Sequence, residues 1–259
     1  MQVNNEDKDI IYHYCSEDVG KKILSTKQLK FSIPSEFNDP FDCSTDLISL
    51  NLTEEDVKIE IERGFYKPEK GEENLPPKVL LNRLQKYVYT WENPDIKDVF
   101  RDILKDTLVC CFSKNFKQIL MWSHYADKHK GMCIGFKREV LENITQCKSI
   151  IVKYDHSFTK ENLFPRKGME QKTLKHWISN KSILWRYEEE VRLYRKKSDN
   201  PKLKNNHFIP FDEKCVAEIF LGCNCILDTN TLQHHLNIEN YKDLKIIKLK
   251  KATSKFELE

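Results

Sequence analysis

The decapeptide Trp185-Arg186-Tyr187-Glu188-Glu189-Glu190-Val191-Arg192-Leu193-Tyr194 places the tightest demand on the fold. Read as a strand, it sets Arg186, Glu188, Glu190 and Arg192 on one face and Tyr187, Glu189, Val191 and Leu193 on the other. The second face suits packing. The first is costly to bury unless its charges pair with one another or meet a polar ligand. The pattern therefore fits either a half-exposed strand with a ladder of ion pairs or a polar cleft in which Glu188 and Glu190 act on a ligand.

The flanking sequence predicts an α+β fold of mixed sheets around a cleft. Ile10 to Tyr14 reads as a strand, followed by a helix capped by Ser16, with Glu17 and Asp18 in its first turn and Val19, Ile23 and Leu24 on its apolar face. Leu29 to Ile33 alternates as a second strand. It runs into the compact turn Ser35-Glu36-Phe37-Asn38-Asp39-Pro40-Phe41-Asp42, bracketed by Phe31, Phe37 and Phe41. Residues 53–105 turn helical, with helices opening at Thr53, Pro77 and Asn93-Pro94, and form a helical insertion within a single domain spanning residues 1–259. The apolar runs Leu108 to Ser113 and Met132 to Phe136 are predicted central strands. Further strands are predicted near Ile150 to Tyr154, Glu189 to Tyr194 and Val216 to Leu221, and helices at Leu174 to Asn180 and Asp228 to Leu236. Lys245 to Lys250 alternates as an edge strand guarded by lysines.

Several chemistries find little support. With 43 Lys and Arg against 40 Asp and Glu, net charge gives no reason to expect nucleic acid or an anionic membrane as an obligatory partner. There is no run long and apolar enough for a membrane helix and no signal-peptide pattern, so a cytoplasmic protein is expected. Nine cysteines, an odd number in a chain of 259 residues, suit reduced thiols. Cys223-Asn224-Cys225 lacks zinc-knuckle spacing, and His124, Asp127 and His129 have no evident fourth ligand, so no metal is expected. Seven glycines and no phosphate loop argue against a Rossmann nucleotide site. Cys15 and Cys111 lack an assured histidine partner for nucleophilic work.

Five segments, taken in order, carry a family resemblance: Tyr12-His13-Tyr14, Leu29-Lys30-Phe31-Ser32, Phe37-Asn38-Asp39-Pro40-Phe41, Cys111-Phe112-Ser113 with Met121-Trp122-Ser123-His124-Tyr125-Ala126, and Tyr187 to Arg192. Together they resemble the bacterial family called domain of unknown function 2971. More distantly, their order is similar to that of ADP-ribosyltransferase folds of the toxin or phage-defence type, including the DNA-modifying branch. That likeness implies an ADP-ribosyltransferase-like core and NAD as substrate, with nucleic acid, protein or water as acceptor. It implies that Tyr12 and His13 hold the nicotinamide amide and ribose, that Ser32 and the turn with Asn38 border the nicotinamide, and that Glu190 is the late catalytic glutamate. Glu188 would take the acceptor's proton. Arg186 and Arg192 would hold the carboxylates ionised or meet the pyrophosphate. Trp122 and Tyr125 would offer an aromatic wall to a planar ring, with His124 hydrogen-bonded to it; the same residues also suit a core. Two other readings stay open: a non-catalytic nucleotide- or partner-binding module, and a metal-dependent nuclease built on Glu188, Glu190 and the histidines.

Overall fold

A computed structural model describes residues 9–44, 47–49, 53–62, 70–71, 74–89, 104–158, 160–162, 174–199, 207–238, 241 and 244–259. Its centre is a seven-stranded mixed sheet. We number these strands β1 (Ile10–Cys15), β2 (Thr107–Ser113), β3 (Met132–Lys137), β4 (Lys148–Ile151), β5 (Glu190–Lys196), β6 (Val216–Leu221) and β7 (Lys245–Lys248). Their spatial order is β7-β6-β3-β1-β2-β5-β4. Every pairing is antiparallel except β6 with β7. Among the described residues we number the helices α1 (Glu17–Thr26), α2 (Glu54–Glu62), α3 (Pro77–Tyr89), α4 (Ile119–Tyr125), α5 (Arg138–Thr145) and α6 (Thr229–Ile238); helical turns also run at 104–106 and at 174–177, the latter within the helix expected from Leu174 to Asn180.

Period-two alternation sorts the sheet's side chains into two faces. Ile11, Leu108, Cys110, Phe112, Ile134, Phe136, Val191, Leu193, Ile219 and Leu221 build one core beneath α1, α5 and α6, which contribute Ile23, Leu24, Leu141, Leu232 and Leu236. On the other face, Tyr12, Tyr14, Cys133 and Phe220 pack with Met121 and Trp122 of α4, while Val109 and Tyr194 pack with Leu47, Leu174, Trp177 and Ile178. Glu190 and Arg192 share that second face and are buried.

The central strands follow the sequence closely, because uninterrupted apolar runs identify strands covered on both sides. Lys245–Lys248 is an edge strand with exposed lysines, as expected. Ser16 caps α1 by accepting the Val19 amide hydrogen, but Val19 itself is 48% exposed and Gly20 takes the buried position against Met132. In the Leu29 to Ile33 segment only Gln28–Lys30 forms a strand, paired with Phe208–Pro210, and Ser32 makes one bridge to Val109. Phe31 is fully buried, whereas Phe41 is 68% exposed and anchors nothing. The segment Ile150 to Tyr154 is two strands, β4 and Lys153–Asp155, and a strand at Asn180–Ser182 pairs with the latter. Within the expected insertion α2 and α3 pack together; the helix expected at Asn93-Pro94 lies outside the described residues.

One irregularity opens the sheet. β1 pairs with β3 over its whole length, yet it meets β2 only at Tyr12 opposite Ser113. Below that point the edge of β2 finds other partners. His13 Nδ1 lies 3.1 Å from the Cys111 carbonyl oxygen, and Ser32 exchanges two backbone hydrogen bonds of 2.9 Å with Val109. A buried backbone edge cannot stay unpaired, so the Ser32 segment and the His13 ring complete what β1 leaves open.

Candidate functional site

The split between β1 and β2 is the floor of a cavity of about 360 Å³. Tyr12, His13 and Tyr14 line it from β1, and Val109, Cys110, Cys111 and Phe112 from β2. Lys30 and Ser32 come from the segment that leads into the turn, Glu36, Phe37, Asn38 and Asp42 from the turn itself, Met121 and Tyr125 from α4, and Lys181, Glu188, Glu190 and Arg192 from the charged side.

The charged decapeptide is not one strand. Ile183–Glu188 winds as a 3-10 turn, Glu189 adopts a left-handed φ of 46°, and β5 begins at Glu190. Glu188 and Glu190 still converge, because Lys181 Nζ bridges their carboxylates at 2.5 and 3.1 Å. Arg186 is carried outward by the turn. It is exposed and lines a separate surface hollow with Lys114, Tyr154 and Tyr187. The expected single face of four charges is thus corrected to Glu188, Glu190 and Arg192.

Arg192 has no solvent exposure. Its Nε and Nη2 donate to Glu190 at 2.8 and 2.9 Å, its Nη1 and Nη2 to Asp42 at 2.9 and 2.5 Å, and Nη1 also reaches the Ile178 carbonyl at 3.0 Å. Such a guanidinium is committed to two carboxylates and has no fork left for a pyrophosphate. Lys181 lies 3.6 Å from Asp42 as well, and its ammonium sits 5.1 Å from the Trp185 ring centre. Tyr125 donates to Glu188 Oε1 at 2.7 Å, and the Tyr154 hydroxyl accepts the Glu190 amide hydrogen at 2.8 Å. Asp42, Glu188 and Glu190 face Lys181 and Arg192, so the cluster holds one carboxylate more than it has cations.

That imbalance separates the two glutamates. Burial favours the neutral acid in both. For Glu190 the fields of Arg192 and Lys181 outweigh burial and bring its pKa down to about 2. For Glu188 burial prevails over Lys181, the Glu190 charge adds to it, and its pKa is raised. Burial lowers the proton affinity of Lys181, but Glu190 and Glu188 more than compensate, so it stays an ammonium and is no Schiff-base nucleophile. Burial lifts Cys15 to about 12 and raises Cys111 as well, which removes both thiols as nucleophiles at neutral pH. His13 is kept neutral chiefly by burial. Because a carbonyl can only accept, Nδ1 carries the proton and Nε2 is left as an acceptor.

A pH dependence follows from Glu190. A carboxyl group whose folded-state pKa is depressed stabilises fully above its unfolded value, here 4.5, and loses that contribution as the pH falls towards about 2. Calorimetry between pH 5 and 2 is expected to show a shallower acid loss of melting temperature in Glu190→Gln than in wild type.

Residues 121–193 match the model of a family described as protein of unknown function, DUF2971. The family reading of the sequence holds over this segment. The DUF2971 span includes Tyr125, Lys181, Glu188, Glu190 and Arg192, while Tyr12, His13, Ser32, Asn38 and Asp42 lie before it. The ADP-ribosyltransferase likeness is no part of that match. No curated protein and no solved structure matches the chain.

Of the residues singled out from the sequence, Tyr12, His13, Ser32, Asn38, Tyr125, Glu188, Glu190 and Arg192 share the cavity. Trp122 and His124 do not line it. Trp122 is fully buried with its indole N–H on the Phe116 carbonyl at 2.7 Å, a core role, and His124 is exposed beside Tyr125 and Tyr187. Lys30, Asp42 and Lys181 also line the cavity, and no motif in the sequence marks them for it. The surplus of carboxylates in the decapeptide was the available hint that a cation from elsewhere had to join them.

Proposed function

We propose that the protein is an ADP-ribosyltransferase-like enzyme that seats the nicotinamide-ribose end of NAD in this cavity and transfers ADP-ribose to a macromolecule or to water. The observation that carries the reading is the surplus carboxylate in a half-enclosed, aromatic-walled cavity. Cleaving the bond between ribose C1′ and nicotinamide sends the bonding electrons to the ring nitrogen and leaves oxocarbenium-like positive charge on the sugar. A fixed negative site favours that state over the ground state. Glu190, held ionised, faces the ribose. Glu188, whose proton affinity is raised, takes the proton of the attacking acceptor. The Nε2 lone pair of His13 suits a carboxamide N–H, and Tyr12 and Phe37 offer rings to the nicotinamide. With Arg192 and Lys181 committed to the carboxylates and Arg186 elsewhere, the exposed Lys30 is, among the described residues that line the cavity, the cation left for the pyrophosphate. A toxin or phage-defence role would follow from such a transfer.

Purified protein incubated with adenine-labelled NAD, alone and with nucleic acid or lysate protein, is expected to release nicotinamide and to label one acceptor class. A second reading draws on one specific observation: both Glu190 oxygens already accept hydrogen bonds within the protein. NAD binding without turnover in any mixture would favour that reading, a binding module. A divalent-metal nuclease fits less well, since the Lys181 ammonium already occupies the centre of the carboxylates.

A further inference from the structure

The chemistry above leaves Lys181 without a part. Among the described residues it alone reaches all three carboxylates, with a side chain only 6% exposed. Its backbone is fixed by the parallel pairing of Asn180–Ser182 with Lys153–Asp155, and its ammonium is flanked by the Trp185 ring. The two glutamates depend on it unequally. Glu190 retains the paired hydrogen bonds of Arg192 if Lys181 is removed, whereas Glu188 has no other cationic partner among the described residues and keeps only the neutral hydroxyl of Tyr125.

We propose that Lys181 is a positioning residue that holds Glu188 and Glu190 as an unlike pair, one fixed as a carboxylate and one able to exchange a proton with the acceptor. Two carboxylates this close repel, and a single ammonium between them lets both point into one cavity. The assignment of the exchanged proton rests on the transfer reading; the pairing of the carboxylates does not. The charged and titratable groups around Glu188 are Lys181 from the 180–182 strand, Glu190 and Arg192 from β5, Asp42 from the turn, Tyr125 from α4, Tyr154 from the 153–155 strand, and Tyr187 from its own turn. Burial pushes all three tyrosines upward, so they stay neutral where Glu188 titrates.

Lys181→Met and Lys181→Arg test this with two readouts. The first needs no NAD: melting temperature is followed from pH 5 to 9. In Lys181→Met, Glu188 holds its proton to higher pH in the folded state than in the unfolded chain. Stability is then greatest at low pH and falls as the pH rises through the folded-state value. The expected result is a melting curve that declines more steeply with pH than wild type, with Lys181→Arg parallel to wild type. Parallel curves for Lys181→Met overturn the proposal. If Lys181→Met does not fold, Lys181→Met/Glu188→Gln is expected to recover folding, and failure to recover overturns it equally. The second readout is NAD turnover. Lys181→Met is expected to lower kcat about 100-fold at pH 7, with KM within about threefold and the acid limb of the profile moved up by about one pH unit or more. Lys181→Arg is expected to restore at least about tenfold of that loss. An unmoved profile overturns the positioning role, and a wild type that turns over no NAD overturns the transfer reading while the melting curves still decide the pairing.

Discussion

Arg192→Met is expected to cost roughly 3–5 kcal/mol of folding stability, the range for stripping one partner from a buried ion pair. The methionine fills much of the same space, so lost volume is a small part of the effect. What remains is Asp42 and Glu190, both buried, facing each other across a thioether, with Lys181 the one cation left for three carboxylates. Protonation offsets part of the cost by neutralising a carboxylate, so the loss is expected to shrink as the pH falls towards 5. For a chain of this size about 2–4 °C of melting temperature accompanies each kcal/mol, which puts the drop near 10 °C at pH 7.5. Arg192→Lys keeps a charge but cannot replace two paired hydrogen-bond sets with one ammonium, and it is expected to fall between. Lys21→Ala is the control: its pair with Glu17 is a solvent-exposed i,i+4 contact, worth about 0.5 kcal/mol or less. A melting temperature for Arg192→Met within about 2 °C of wild type would show that the five charges do not form one buried network.

How much of this the sequence disclosed depends on the kind of signal each residue carries. The sheet was legible because Leu108 to Phe112 and Met132 to Phe136 are runs that only a covered strand accommodates, and because Val191 and Leu193 alternate with Glu190 and Arg192. The alternation of β5 does not continue back to Arg186 and Glu188. It breaks at Glu189, where a non-glycine residue turns left-handed, and no residue type there announces the break. The 3-10 turn Ile183–Glu188 that ends at this residue carries Arg186 out of the site. Trp122 and Tyr125 lie three apart on α4, which suggests a shared wall, yet one enters the core and the other the cavity, a distinction set by tertiary packing rather than spacing. Lys181 was invisible for a different reason: it is one of 43 basic residues, in a polar tripeptide strand with no apolar pattern. Asp42 was legible only as the last residue of a turn. Both enter the site because a buried charge recruits its partners through space, and sequence proximity does not report that.

Glu188→Gln is expected to separate function from stability in the opposite sense to Arg192→Met. The substitution keeps the side chain's length and a carbonyl oxygen for Tyr125 or Lys181, and it removes one negative charge. Two carboxylates then face two cations and the cluster balances. Burial holds the Glu188 carboxyl above its ordinary pKa, so the ionised form is destabilising in the folded state, increasingly so as the pH rises above the unfolded value. Glu188→Gln should therefore melt at or above the wild-type temperature at pH 8, with the difference narrowing towards pH 5. Its transfer activity should fall about 100-fold to 10,000-fold, the contribution of a positioned general base, while NAD affinity changes little. A surplus carboxylate kept at a cost to stability is the signature of a group retained for chemistry. A variant that melts lower and turns over NAD at the wild-type rate would make Glu188 a structural partner of Lys181 and Tyr125, and would return the cavity to the binding-module reading.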